Sequence, residues 1–481
     1  MVQSTDIYNL LPLAIIAFAA TFILLLEVFI KKSENIIFGF SLLSVLAAIG
    51  TSFLYLNKEI IIFGNFIKVS NTSLTFSVII LVGLLITIIA SKNYIEKEKI
   101  NFGEYYSLLL FSLMGMMLMI FANDILIIFI GLELMSICFY VLAGFLRLRK
   151  KSNESALKYF LLGAFMTGFI LYGIALIYGI IGSTSLPQLY SSPRNITNYV
   201  FIIGIGLFVT GFMFKIGVFP FQMWIPDVYD GAPTVVSGML STAGKIAAVG
   251  TILPIILSLN IVNFRMIFAV AAVATMMYGN IIALAQTNIK RLLAYSSIAS
   301  AGYIFVGVAS MNEFALRGIS YYLIAYTFMQ LGAFIIVSLM EKKDDGSREY
   351  KNVDLEYYKG LGKRNPMIAL YMTLFLFSLA GIPPFAGFWG KYYLFYSAIK
   401  SNMIWLAVTG ILLSLIGVYY YIKIIVYMWF SESADSSLAA QENISFTNPG
   451  IVATVLAVIG TIWFGIYPNL FFNLFKFAIT P

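Results

Sequence analysis

The sequence predicts an all-α polytopic membrane protein of about 14 transmembrane helices, with broken helices at spans 7 and 12. Three observations predict it. The 481 residues are 60% hydrophobic and only 11% charged, with a mean hydropathy of +0.92. A soluble chain cannot hide that much apolar surface. Apolar runs of about 20 residues, the length a helix needs to cross a bilayer, recur from end to end. Lysines and arginines collect in alternate loops, as they do when loops alternate between two sides of a membrane.

Taken in order, the apolar periodicity places spans at 10–30, 36–56, 73–91, 105–122, 124–146, 157–182, 200–224, 232–258, 264–285, 291–311, 315–340, 367–396, 403–430 and 451–473. The opening MVQSTDIYNL has no cationic stretch, so span 1 reads as a true span rather than a cleaved signal. Pro220 breaks span 7, and Gly381, Pro383 and Pro384 break span 12. Broken backbone at membrane depth survives only where protein or a wet cavity satisfies it. The segments are read as 1–104 (N-terminal helices), 105–258 (spans 4–8), 264–430 (spans 9–13) and 451–481 (span 14).

Loops 1–2, 3–4, 5–6, 9–10 and 11–12 hold 18 of the 30 basic residues. The opposite loops hold Lys58, Lys68, Arg194, Arg265, Arg317, Lys400 and Lys476. The positive-inside rule puts the first set in the cytoplasm, and an even number of spans then puts both termini outside. The net charge of +8 follows this pattern rather than a nucleic-acid surface.

Five lysines lie within spans. Lys158 is near the start of span 6. Lys423 is near the cytoplasmic end of span 13 and can snorkel to the interface. Lys215, Lys245 and Lys391 would have to reach two or more turns. A lysine at the bilayer centre costs about 2.5–3.5 kcal/mol, so three cost about 8–10 kcal/mol. Chains that carry this cost use the charge to move ions or protons. Glu133, inside ILIIFIGLELMSICFYVLAGF, adds an acid of opposite sign. At ~7 Å and a dielectric of about 20, a Glu–Lys pair is worth about 2.4 kcal/mol. A static ion pair would account for one lysine, not for three on separate spans. Relay suits lysine: neutral, it accepts a proton; charged, it passes one on.

One Cys (Cys138) and no His exclude most metal, haem and iron–sulfur sites, and there is no Walker loop or GxGxxG unit. The candidate wires are therefore hydroxyls and amides. Ser237, Ser241 and Lys245 recur every four residues on span 8. Ser296, Ser300 and Tyr303 share a face on span 10, as do Tyr322, Tyr326 and Gln330 on span 11. Such faces hold water between charged stations, or simply bond helices together. In the 7–8 loop WIPDVYDGAPT, Pro226, Gly231 and Pro233 predict a tight re-entry. Asp227 and Asp230 are expected to cap span 8 rather than pair with a basic neighbour. The charged segment 341–364 is expected on the cytoplasmic surface or against a partner. Spans 4–8 and 9–13 each carry one broken helix with a lysine, an internal echo that points to a translocation site between repeats.

Four stretches carry a family resemblance: EYYSLLLFSLMGMMLMIFANDILIIFIGLELMSICFYVLAGF, ESALKYFLLGAFMTGFILYGIALIYG, FKIGVFPFQMWIPDVYDGAPT and GIPPFAGFWGKYYLF. In this order they resemble the subunit N family of NADH-quinone oxidoreductase, the antiporter-like membrane subunits of respiratory complex I. The resemblance implies two inverted five-helix repeats, at spans 4–8 and 9–13, each a half-channel. It implies a proton relay through Glu133, Lys215, Lys245 and Lys391, with Lys158 as an intermediate or as a tuner of its neighbours' pKa. It implies proton translocation driven by redox chemistry elsewhere. No cofactor is expected in this chain. FMN, iron–sulfur clusters and quinone are expected in partner subunits of the membrane and peripheral arms. A bacterial inner membrane is the expected location. Sister subunits L and M usually place a His in the 7–8 loop, subunit M usually has Glu where this chain has Lys391, and subunit L usually ends in a long lateral helix. The alternatives are a cation/proton antiporter subunit and a non-pumping scaffold of the membrane arm.

Overall fold

The computed structural model describes residues 4–30, 33–100, 103–191, 198–259, 261–341, 353–432 and 448–475. Among them, 13 helices are long and apolar enough to cross a membrane. They are α1 (Leu11–Phe29), α2 (Glu34–Tyr55), α3 (Asn71–Glu98), α4 (Gly103–Phe121), α5 (Ile125–Ala143), α6 (Lys150–Ile181), α7 (Tyr199–Ile216), α8 (Thr234–Leu259), α9 (Phe264–Leu284), α10 (Ile289–Ser310), α11 (Glu313–Met340), α13 (Ile404–Phe430) and α14 (Pro449–Ile466). The remaining span, α12, is two half-helices, Pro366–Ala380 and Ala386–Lys400. All 14 spans read from the sequence are present. Of the segment 341–364, residues 342–352 lie outside the described residues.

Several predicted spans began one or two residues late, because asparagine caps lie outside the apolar pattern. Asn198, Asn288, Asn312, Asn365 and Asn448 each accept a backbone N–H from the first turn of α7, α10, α11, α12 and α14. A short antiparallel hairpin, Ile60–Ile62 with Ile67–Val69, joins α2 to α3 and was not anticipated.

The helices sort by burial. α10 and α11 are almost wholly enclosed, α3 and α8 nearly so, while α1, α2 and α6 present most of their surface outward. A charge placed on α8, or one facing α10 or α11, therefore lies inside protein rather than in lipid.

Both broken helices stop in the same way. α7 ends on Gly217 (φ +86°) and the first half of α12 on Gly381 (φ +85°). Gly217 N–H donates to the Met213 and Phe214 carbonyls and Val218 N–H to Met213. Gly381 donates to Phe377 and Ser378, and Ile382 to Phe377. A residue with a Cβ would be strained at this φ, and the turn satisfies the last carbonyls inside the bundle. The predicted span 7 ran on to 224. Instead the chain breaks at Gly217 and resumes as a short helix, Trp224–Gly231. The 7–8 connection is thus largely helical rather than a simple tight loop.

Candidate functional site: a buried lysine file

Lys215 lies in the last turn of α7, where the helix dipole favours a cation. Its Nζ donates to Ser136 Oγ (2.8 Å) and Tyr140 OH (3.3 Å), both on α5. The Tyr140 and Tyr159 rings flank it at 5.3 and 5.4 Å. Glu133 is one turn from Ser136 on α5. It is half-buried, accepts the Thr167 hydroxyl at 2.9 Å, and makes no ion pair within 4.0 Å of Lys215. The pair expected from the sequence is therefore not in contact: Ser136, which accepts from Lys215, donates to the Leu132 carbonyl.

Lys245 sits on α8 directly after a π turn, Leu240–Gly244. A π turn takes up about one extra residue, which shifts the phase of everything beyond it. The predicted Ser237–Ser241–Lys245 face is broken for that reason. Ser237 donates to the Tyr229 and Pro233 carbonyls and Ser241 to Gly238. Lys245 Nζ donates instead to Ser297, at 2.6 Å to its carbonyl and 2.8 Å to its hydroxyl, and stands 5.2 Å from the centre of the Tyr326 ring. Ser297 was missed by sequence reasoning. Its neighbours Ser296 and Ser300 were singled out because their spacing is helical, but the register that faces α8 belongs to Ser297.

Lys391 lies in the second half of α12. Its Nζ donates to the Ala380 carbonyl (2.9 Å), at the C-terminal end of the first half, and lies 4.9 Å from the centre of the Tyr303 ring. The predicted α10 face divides. Tyr303 serves Lys391 and accepts a hydrogen bond from Asn280 (3.2 Å), while Ser296 bonds Tyr421 of α13.

The three ammonium groups face inward: Lys215 is 7% exposed, Lys245 1% and Lys391 7%. Each hydrogen bond to a charged group contributes about 1.5–3 kcal/mol. A desolvated cation–π contact adds about 2 kcal/mol. These contacts match or exceed the insertion cost of about 2.5–3.5 kcal/mol per lysine, so a charged amine can reside at each station.

Packed polar and aromatic groups connect the stations. Tyr159 stacks on Trp224 (4.4 Å, 8°), which meets Tyr229 at 6.0 Å, and Tyr229 is within hydrogen-bonding reach of Ser297. Beyond Lys245, Tyr326 stacks on Tyr322 (5.9 Å, 16°). Tyr322 packs on Gly390, beside Lys391. On the far side, a cavity of about 540 Å³ is lined by residues that include Gly250, Thr251 and Pro254 of α8, five or more residues beyond Lys245. Pro254 has no N–H to bond the Gly250 carbonyl.

Lys158 stands apart from the file. Its side chain is 41% exposed and pairs with Glu154 (2.6 Å) and Asp227 (2.7 Å). Asp227 also accepts from Arg291 at 2.8 Å. Asp230 bonds Asn288 (2.9 Å) and Lys151 (3.3 Å). The two aspartates thus pair with basic and amide neighbours and leave α8 uncapped by side chains, contrary to the capping expected. Burial alone would raise the Asp227 carboxyl. The Lys158 and Arg291 hydrogen bonds outweigh it and hold the carboxyl below the usual carboxylate range. Lys423 is half-buried, with its Nζ 5.8 Å from the centre of the Tyr427 ring.

A many-span bundle that breaks two of its helices beside buried amines belongs to the class of ion-translocating membrane proteins. Residues 122–417 match the family described as NADH:quinone oxidoreductase/Mrp antiporter, TM, and the chain belongs to that family. It is 40% identical to NADH-quinone oxidoreductase subunit N of Trichlorobacter lovleyi, over 99% of this chain and 98% of the relative. It is 37% identical to F(420)H(2) dehydrogenase subunit N of Methanosarcina mazei, over 98% and 97%. A chain of respiratory complex I from Thermus thermophilus superposes with a TM-score of 0.81 at 30% identity, covering 95% of this chain and 98% of that one. A chain of the Mrp complex from Dietzia, at 18% identity and a TM-score of 0.81 over 96% of both chains, shares the fold.

Proposed function

We propose that this chain is a proton-translocating membrane subunit of an NADH:quinone oxidoreductase of the complex I type. Glu133 and Lys215 form one paired station, Lys245 the central relay, and Lys391 the station at the second break. Lys158, with Asp227 and Arg291, biases the rim rather than carrying protons along the file. Redox groups and quinone reduction belong to partner subunits of the membrane and peripheral arms. One relative is named as a subunit of an F(420)H(2) dehydrogenase, so the electron donor is set outside chains of this kind. The setting is a bacterial inner membrane, with the lysine- and arginine-rich loops in the cytoplasm and both termini outside.

The observation that carries this reading is the inward file of Lys215, Lys245 and Lys391, linked by tyrosine and serine side chains from five helices. Each amine can exist with or without its proton in these surroundings. A change at one station alters the field at the next. The test is Lys215→Ala and Lys391→Ala in the assembled complex, with proton pumping measured per quinone reduced. Pumping is expected to fall about tenfold or more, on the scale of a lost proton-transfer group. Full pumping with normal quinone reduction in both variants would overturn the assignment.

A further inference from the structure

The central lysine has two walls besides its own helix, and both continue to one rim of the bundle in an ordered way. On α10, Lys290, Leu293 and Ser297 follow spacings of three and four and share a face. On α11, Tyr326 and Gln330 are four apart. Glu341, 11 residues further, comes after about three turns and returns to the same face. α8 opens at Thr234, against this same rim.

The polar groups form three layers. At the rim, the Thr234 hydroxyl donates to Glu341 Oε1, and Lys290 Nζ lies 3.7 Å from that oxygen. Lys290 also donates to the Ala232 carbonyl at 3.0 Å. The exposed Lys97 donates to the Glu341 backbone carbonyl, which ties the layer to the aqueous edge. In the middle, Gln330 Nε2 donates to the Leu293 carbonyl at 3.1 Å. At the centre stand Lys245, Ser297 and Tyr326. From Lys290 to Ser297 the rise is about 10 Å.

Each layer leaves one buried oxygen unsatisfied. Among the described residues, Glu341 Oε2, Gln330 Oε1 and the Tyr326 hydroxyl make no hydrogen bond, although the Tyr326 hydroxyl lies near Ser297. Buried polar atoms in native proteins are normally bonded, to protein or to water. Three orphans on one helix face, in line between a carboxylate and an amine, are what a thread of ordered water would complete.

We infer that Glu341 is the proton-loading carboxylate of an access route between α8, α10 and α11 that feeds Lys245. The transfer balances simply. The O–H bond of protonated Glu341 breaks, water beside Gln330 carries the proton inward, and an N–H bond forms on neutral Lys245, leaving Glu341 as a carboxylate to be reloaded from the Lys97 edge. Lys290 and Arg149 face the same carboxylate and stabilise it once it is emptied. Burial nonetheless raises the Glu341 carboxyl, although Lys290 and Thr234 pull it down, so it is able to hold a proton. Glu341 does not announce itself in the sequence, where it reads as the first charge of a polar loop. The inference rests on Lys245 being a proton station, as proposed above.

The test uses the assembled complex in vesicles. Glu341→Gln keeps the size and the Thr234 contact but cannot shuttle a proton; Glu341→Asp can. The Gln variant is expected to lose pumping about tenfold with its thermal midpoint held, while the Asp variant keeps more than about half. If the Gln variant does not assemble, Lys290→Met with Glu341→Gln removes both charges, leaves no unpaired ion, and is read in the same way. Wild-type pumping in the Gln variant (or in that double variant), or pumping losses that track thermal stability across Gln and Asp, would overturn the inference and leave a structural strut. Lys245→Met separates the two ideas. If it alone abolishes pumping, the relay stands and only the intake fails. If it also pumps normally, the relay reading itself has failed.

Discussion

Lys215 and Lys391 stand beside the two helix breaks of one chain, yet their surroundings differ. Lys215 precedes its break and has two hydroxyl partners, two aromatic faces and an acid one helical turn beyond its serine partner. Lys391 follows its break and, among the described residues, has no carboxylate within 4.0 Å. It leans instead on the carbonyl end of a half-helix and on Tyr303. A helix C-terminus carries a partial negative charge of roughly one half, fixed in place and unable to titrate. The first of the proposed stations therefore has an acidic side chain nearby. The second has a constant partner, and its state depends on what arrives. The same helix break thus stands beside a lysine with an acid nearby in one half and a lysine backed by a helix carbonyl end in the other.

The largest test of this contrast is removal of the charge at each break. Lys215→Met and Lys391→Met should each lower pumping about tenfold or more. Equal quinone reduction with pumping lost in only one variant would mean that the two halves are not in series. Next is Glu133→Gln, which should weaken the first station alone. A loss of about tenfold corresponds to about 1.4 kcal/mol of coupling, less than the contact-distance value because the pair does not touch. No change in pumping would make Glu133 a bystander and remove the asymmetry. A smaller effect, about threefold to fivefold, is expected from Ser297→Ala, since Lys245 keeps the Ser297 carbonyl. A loss as large as that of Lys245→Met would place Ser297 in the relay itself.

The smallest effect concerns the rim. The Asp227 carboxyl is held below its ordinary value, so its partners stabilise the folded chain above that value, and the contribution fades as pH falls through the depressed one. Asp227→Asn should lower the thermal midpoint slightly and evenly from about pH 5 to about pH 8, with the gap to wild type closing in stronger acid. A gap that widens in acid would assign the pairing a different sign.

Much of this was legible in one dimension. Fourteen spans, two breaks and three lysines too deep to snorkel follow from the cost of exposing polar groups to lipid, a cost levied residue by residue. That cost does not depend on which helix lies beside which, and so a bare sequence can report it. The family resemblance read from the motifs also held.

What tertiary structure decided was the choice of partner. Lys245 meets Ser297, 52 residues away; Lys215 meets Ser136, 79 away; Thr234 meets Glu341, 107 away. Side chains on a helix look out in all directions, and a single π turn is enough to rotate one face past its neighbour. Asp227 could cap a helix or bind two cations, and only the approach of α6 and α10 settled it. Local chemistry determines what a residue costs and what it can do. Packing determines which group it does it with, because hydrogen bonds act over about 3 Å while the helices that supply them are set by the whole bundle.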